Sequence, residues 1–143
     1  MTDDATFEKV SQSDQNIYGP RKLLLCGFAA DAQPKFMKLL ELLGITDLPA
    51  VWAAEDQADS RLDELLALAD TSGWGKSSSL PRAIIMAGIT SNELHLLMSG
   101  CKKAGMKQAL WATLTPTSET WPLGQLLSEL AAEREALKGR DDQ

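Results

Sequence analysis

Cys26 has the position best suited to covalent chemistry, because it ends an apolar run that predicts a strand and is followed by Gly27. At the start of the next helix, a thiolate would be stabilised by the helix dipole. However, the residues from Gly27 to Ala30 carry no hydroxyl or arginine that could hold a phosphate. We therefore expect Cys26 to be a small buried strand residue, and we keep a Cys26-dependent enzyme or phosphocarrier as an alternative.

No other catalytic or metal-binding set is predicted. His95 is the only histidine, which excludes a histidine-based metal cluster. Asp63 and Glu64 are neighbours on a predicted helix and point in different directions, so they do not form an acid–base pair. Asp70 stands where a phosphate loop needs its first glycine, and the turn at Gly27 has one of the three glycines of a dinucleotide site. We predict no catalytic residue, no metal and no cofactor, and we favour a protein that is not an enzyme.

Two stretches could hold a small anionic ligand. Ligands of open α/β sheets bind where the strand order reverses, and the turns after the first and third strands would line that crevice. The loop 113–120 is rich in threonine and precedes a helix, whose N-terminal donors attract anions. For this loop the alternative is that Thr117, Ser118 or Thr120 caps the helix. The predicted ligand-binding residues are Gly27, Phe28, Gly88, Ile89, Thr90, Thr115 and Thr117.

These residues would be positioned by a β-helix-β-helix pattern that occurs twice. The two copies align on their glycines: KLLLCGFAADAQPKFMKLLELLGI and RAIIMAGITSNELHLLMSGCKKAGM. The interval from Gly27 to Gly88 is the same as the interval from Gly44 to Gly105. With a loop two residues shorter in the second copy, AVW ending at Trp52 aligns with ALW ending at Trp111. We expect both tryptophans to close the rims of the core, or alternatively to form an aromatic surface for a partner.

The pattern predicts an α/β fold. The first and third strands are continuous apolar runs, as expected for strands covered on both faces. Two repeated β-α-β-α units would form a four-stranded, mostly parallel sheet in the order 2-1-3-4, with the helices after strands one and three on opposite faces. A ferredoxin-like α+β arrangement is the alternative. The predicted organisation is a disordered arm (1–20), one domain (21–137) made of repeat one (21–70), a mobile linker (71–81) and repeat two (82–137), and a flexible tail (138–143).

The second half also resembles a known family. The residues that carry the resemblance are IIMAGIT, KKAGM and LTPTSETWPL, between Arg82 and about Leu127. They are similar to the bacterial family catalogued as domain of unknown function 3783. Ser118 stands where that family commonly has an asparagine. The resemblance implies a compact α/β domain and no established activity.

Composition limits the classes of partner. The chain has 143 residues and a formal charge of −6, which argues against nucleic acid as a partner. MTDDATFEKV lacks the pattern of a secretory signal, and the longest apolar stretch is too short for the ~20 residues that span a bilayer. We therefore expect an acidic cytoplasmic protein without membrane contact. The favoured function is a non-catalytic protein-interaction or regulatory module with a protein partner or as a homodimer; the alternative is a small-molecule or anion-binding domain.

Overall fold

Strands and helices alternate along the chain. The computed structural model describes residues 16–106 and 108–141, with the backbone alone described for 138–141. The strands are β1 (Lys22–Cys26), β2 (Ala50–Ala53), β3 (Ala83–Ala87) and β4 (Leu110–Thr113). The helices are α1 (Gln33–Leu42), α2 (Leu62–Leu66), α3 (Ser91–Lys103) and α4 (Leu123–Asp141). None of the helices in these ranges is long and apolar enough to cross a membrane.

The four strands form one mixed sheet in the order β2-β1-β3-β4, which confirms the predicted α/β class and strand order. β1 pairs with β2 in parallel, and β3 pairs with β4 in parallel. The central pair, β1 with β3, is antiparallel, and its middle residues Leu24 and Ile85 lie opposite each other. Each parallel pair forms a βαβ unit with the helix between its strands. The two units join at the centre of the sheet through the antiparallel pair of β1 and β3.

Both faces of the sheet are covered by helices. On one face, α1 and α3 contribute Phe36, Leu40, Leu97 and Cys101 to a core cluster. On the other face, α2 and α4 pack their leucines against the remaining strand side chains. The prediction that the helices after β1 and β3 lie on opposite faces is wrong, because two units that meet antiparallel keep their crossover helices on the same face. The ferredoxin-like alternative is also wrong, because it would place the helices on one side of an antiparallel sheet.

The register of the edge strands corrects the predicted equivalence of the two tryptophans. Leu25 of β1 pairs with Trp52, whereas the residue at the same distance from its glycine turn in β3, Met86, pairs with Thr113. In the sheet, the counterpart of Trp52 is therefore Thr113, and Trp111 lies one pleat earlier along β4. The two tryptophans consequently have different surroundings.

The segments that lead into β1 and β3 are packed against the sheet. Residues 16–20, which were predicted to belong to the arm, contact the turn after β3; the amide of Ile17 donates to the carbonyl of Ile89. The linker 71–81 hydrogen-bonds to β2 and to the turn after β1. The rest of the predicted arm, residues 1–15, and the end of the predicted tail lie outside the described residues.

Candidate functional site

The two glycine turns lie at opposite ends of the sheet. Gly27 follows β1 and Gly88 follows β3, and the antiparallel pairing of these strands places Lys22 opposite Ala87 and Cys26 opposite Ala83. The prediction of one crevice lined by both turns is therefore wrong. The structure brings Gly88, Ile89 and Thr90 to the same end of the sheet as the threonine-rich loop after β4, and it places Gly27 and Phe28 at the other end.

The turn after β1 is covered by the chain that leads into β3. Phe28 is 2% exposed, and its carbonyl accepts a hydrogen bond from the amide of Ser78 at 3.2 Å. The guanidinium of Arg82 lies 4.0 Å from the centre of the Phe28 ring, in a cation–π contact. A Cβ on Gly27 would collide with the backbone of Leu80 and Arg82. The space above this turn is therefore filled by the protein itself.

The turn after β3 is covered in the same way by the chain that leads into β1. Ile89 is fully buried, and its carbonyl accepts from Ile17 at 2.7 Å. The side chain of Thr90 accepts from the amide of Glu93 while the Glu93 carboxylate accepts from the amide of Thr90, and these two bonds form the capping box of α3. Ligand binding by the residues of either turn is untested by this geometry and stays a prediction, but neither Phe28 nor Ile89 reaches the surface.

The threonine-rich loop satisfies its own polar groups. The Thr115 hydroxyl accepts from the amide of Ser118 at 3.0 Å, and the Ser118 hydroxyl accepts from the amide of Thr115 at 3.1 Å. Ser118 is buried, whereas Thr115 and Thr117 are exposed. The reciprocal bonds close the loop that leads into the short 3₁₀ turn Ser118–Thr120. Ser118, which replaces an asparagine common in the resembled family, thus has a structural role in this chain.

Cys26 lies in the core. Its side chain is fully buried on the α2–α4 face, and burial raises the pKa of its thiol to about 12. A thiol with such a pKa is protonated at neutral pH and is a poor nucleophile. Burial also raises the pKa of Cys101, to about 11. Within residues 16–106 and 108–141, no group of three or more His, Cys, Asp and Glu side chains could hold a metal ion, and His95 is exposed.

The outer edge of β2 is closed by the linker. The amide of Ala50 donates to the Asp70 carboxylate at 2.8 Å, and the carbonyl of Ala50 accepts from the amide of Thr71 at 2.8 Å. The amide of Trp52 donates to the carbonyl of Ser72 at 2.8 Å. These three backbone groups point away from β1, so Asp70 and the start of the linker cover the edge that the sheet leaves open.

Within residues 16–106 and 108–141, no other segment pairs with the outer edge of β4. The amides of Leu110 and Leu114 donate to β3 carbonyls, so the alternate residues Trp111 and Thr113 direct their N–H and C=O groups away from β3. Among the described residues, nothing hydrogen-bonds to these outward groups. Two residues before Trp111 in the sequence, the carbonyl of Ala109 accepts a hydrogen bond from the guanidinium of Arg134, on α4, at 2.6 Å. The unpaired part of the edge therefore begins at Trp111.

A groove runs beside this open edge, between β4 and the C-terminal end of α3. Its volume is about 590 Å³, and we call it the β4 groove. Lys102 belongs to the last turn of α3, where a positive charge interacts favourably with the helix dipole. No acidic side chain lines the groove within the described part of the chain. The side chains most relevant to binding are Met98, Lys102, Met106, Trp111 and Arg134.

The two tryptophans that the sequence singled out therefore differ in role. Trp52 is 3% exposed and packs edge to face against Phe28, Phe36 and Trp74, with ring centres 5.4, 6.1 and 5.5 Å away. Trp111 is only partly buried and lines the β4 groove. Trp52 has the predicted core role, whereas Trp111 packs partly against the core and leaves part of its surface in the β4 groove; a partner at Trp111 stays a prediction.

Comparison with known proteins agrees with the resemblance of the second half. Residues 82–137 match the family model described as "Domain of unknown function (DUF3783)", which confirms the family predicted for this part of the chain. The match contains β3, α3, β4 and most of α4, and hence most of the β4 groove. No curated protein matches the chain. No solved structure matches it either.

Proposed function

We propose that this protein is a non-catalytic protein-interaction module that binds a partner along the open edge of β4. The observation that carries the proposal is the contrast between the two edges of one sheet. In β2 the outward amides of Ala50 and Trp52 and the outward carbonyl of Ala50 are bonded by residues 70–72, whereas Trp111 and Thr113 of β4 have no partner in the described part of the chain. An exposed edge is a template for pairing with another chain, and proteins that do not use such an edge commonly cover it.

The β4 groove supports a specific contact rather than loose edge pairing. Recognition by strand addition takes affinity from main-chain hydrogen bonds and specificity from pockets for alternate side chains. The groove offers such a pocket next to the outward groups of Trp111. Met98 is 39% exposed beside it, and methionine adapts its shape to different partners.

The substitution Thr113→Pro tests this function. Proline removes the outward amide of Thr113 but leaves the ladder to β3 intact, because the inward groups belong to Ala112 and Leu114. We expect nine-residue peptides selected from a randomised display library on the full-length protein to bind Thr113→Pro at least tenfold more weakly. Affinity is measured with purified peptides by fluorescence anisotropy.

Thr113→Val is the matched control, because it keeps the amide and a similar side-chain volume. It should bind the selected peptides as the unsubstituted protein does, and both variants should unfold at a similar temperature. If the selected peptides bound Thr113→Pro with unchanged affinity, or if selection yielded no peptide, the proposed function would be wrong.

A further inference from the structure

We infer that the partner of the β4 edge is an extended acidic segment of another protein with an apolar residue at its centre, an inference that rests on the proposed function. The segment would pair with Trp111 and Thr113, place the apolar side chain in the β4 groove and direct carboxylates to Lys102 and Arg134. The experiment below separates this choice of partner from edge binding itself.

The edge requires an extended segment. Trp111 and Thr113 are alternate residues of one strand, so their outward N–H and C=O groups have the spacing that a neighbouring strand presents. Arg134 already occupies the carbonyl of Ala109 at 2.6 Å, and this contact limits pairing to the C-terminal part of β4. The accessible edge is consequently short, and the side chains of the incoming segment must supply much of the affinity.

The charge of the groove selects an acidic segment. The protein carries 20 acidic and 14 basic residues, yet the charged side chains that line the groove are Lys102 and Arg134. Lys102 is exposed at the end of α3, where it can meet a carboxylate from solvent. Charge complementarity of this kind sets partner choice and association rate more than it sets total affinity.

The apolar part of the groove selects a hydrophobic residue within that segment. Met106 and Trp111 are partly buried against the α1–α3 core cluster and leave part of their surface in the groove. Met98 adds exposed thioether surface on the α3 side. In an extended segment, side chains alternate between the two faces of the sheet, so acidic residues two positions from the apolar residue share the α3 face with Lys102, and acidic residues next to it face Arg134 on the α4 side.

The same charges disfavour a second copy of this chain as the occupant. Pairing of β4 with β4 of another copy would bring Lys102 and Arg134 of both molecules to one shared edge. Like charges that meet across an interface cost binding energy. The basic groove is therefore better matched by an acidic segment than by itself.

The probes are three fluorescein-labelled nine-residue peptides with a central valine, in which the two residues on each side of the valine are glutamate, serine or lysine and the other residues are threonine. We expect the glutamate peptide to bind the full-length protein at least tenfold more tightly than the lysine peptide, with the serine peptide between them, as measured by fluorescence anisotropy. The preference should shrink as salt is added, because salt screens exposed charges. Lys102→Glu should reverse the preference, and Lys38→Glu, an exposed change on α1, should leave it unaltered.

Two glutamate peptides with N-methyl groups on odd or on even residues test the pairing itself. Only one of the two should lose binding, because one set of amides faces β4 and the other faces solvent. If the glutamate, serine and lysine peptides bound equally well while only one of the two methylated peptides lost binding, the acidic partner would be overturned and the proposed function would stand. Equal binding of both methylated peptides would overturn edge pairing. If sedimentation showed self-association that Thr113→Pro abolished, the partner would be a second copy of the chain. If deletion of residues 1–15 made the peptides bind much more tightly, the occupant of the edge would be the chain's own N-terminal segment.

Discussion

Gly88→Ala is expected to lower the free energy of unfolding by at least about 3 kcal/mol. Gly88 has a φ of +63°, a conformation that costs an alanine about 1–2 kcal/mol. A Cβ at this position would also lie 2.5 Å from the amide nitrogen and 2.6 Å from the Cα of Arg21. Both contacts are with backbone, so the turn after β3 and the chain entering β1 would have to separate. Urea unfolding of the full-length protein measures the change.

Gly105→Ala is the matched control for this substitution. Gly105 ends α3 with a φ of +73°, but a Cβ there would meet nothing within 4 Å. It should therefore cost only the conformational part, about 1 kcal/mol. If the two substitutions destabilised the protein equally, the close packing of the entering chain against the β3 turn would be refuted.

Glu93→Gln is expected to destabilise the protein by about 2 kcal/mol at neutral pH. The Glu93 carboxylate accepts two hydrogen bonds from the Arg21 guanidinium, at 2.6 and 2.7 Å, and also accepts from the amide of Thr90. Its side chain is 18% exposed, so solvent screens the pair only in part. Glutamine keeps the shape and the hydrogen bond to the helix start, but it removes the charge opposite Arg21. Urea titrations at a series of pH values measure the effect.

The cost of Glu93→Gln should disappear in acid. The hydrogen bonds from Arg21 lower the pKa of Glu93 to about 2, below its value in the unfolded chain. A carboxyl group with a lowered pKa contributes its stability above the unfolded-state pKa and loses that contribution as the pH falls through the folded-state value. The stabilities of the two proteins should therefore converge between about pH 4.3 and pH 2.

Asp47→Asn serves as the control on the same arginine. Asp47 also binds Arg21, at 2.8 Å, but its side chain is 77% exposed. A surface ion pair contributes about 0–1 kcal/mol, so this change should be nearly silent. A cost for Glu93→Gln that did not vary with pH would show that packing, and not charge, holds Glu93 in place.

Much of the fold could be predicted from the sequence because its signals are local. The continuous apolar runs at Leu23–Leu25 and Ala83–Met86 correspond to strands buried on both faces. The residues Thr90-Ser91-Asn92-Glu93 have the pattern of a capping box, and α3 begins directly after Thr90. The antiparallel direction of β3 could not be predicted in this way, because it depends on the path of residues 71–82, which have no periodic pattern.

The candidate site could not be predicted from the sequence, because it depends on which edge of the sheet the other segments of the described chain leave uncovered. Trp52 and Trp111 end similar apolar triplets, and the sequence gives no sign that the linker closes the edge beside one and leaves the edge beside the other open. The basic side chains of the β4 groove come from two helices on opposite faces of the sheet, Lys102 from α3 and Arg134 from α4. Only the folded sheet brings Lys102, Arg134 and Trp111 together.

Amide hydrogen exchange by nuclear magnetic resonance tests most directly whether β4 is the binding edge of this sheet. In the free protein, the amides of Trp111 and Thr113 should exchange quickly, while those of Leu110, Leu114 and Trp52 should exchange slowly because each donates a hydrogen bond. Added glutamate peptide should slow the Trp111 and Thr113 amides. If these two amides were already protected in the free protein, or if the peptide bound and left them fast, the account of β4 as an open binding edge would be contradicted.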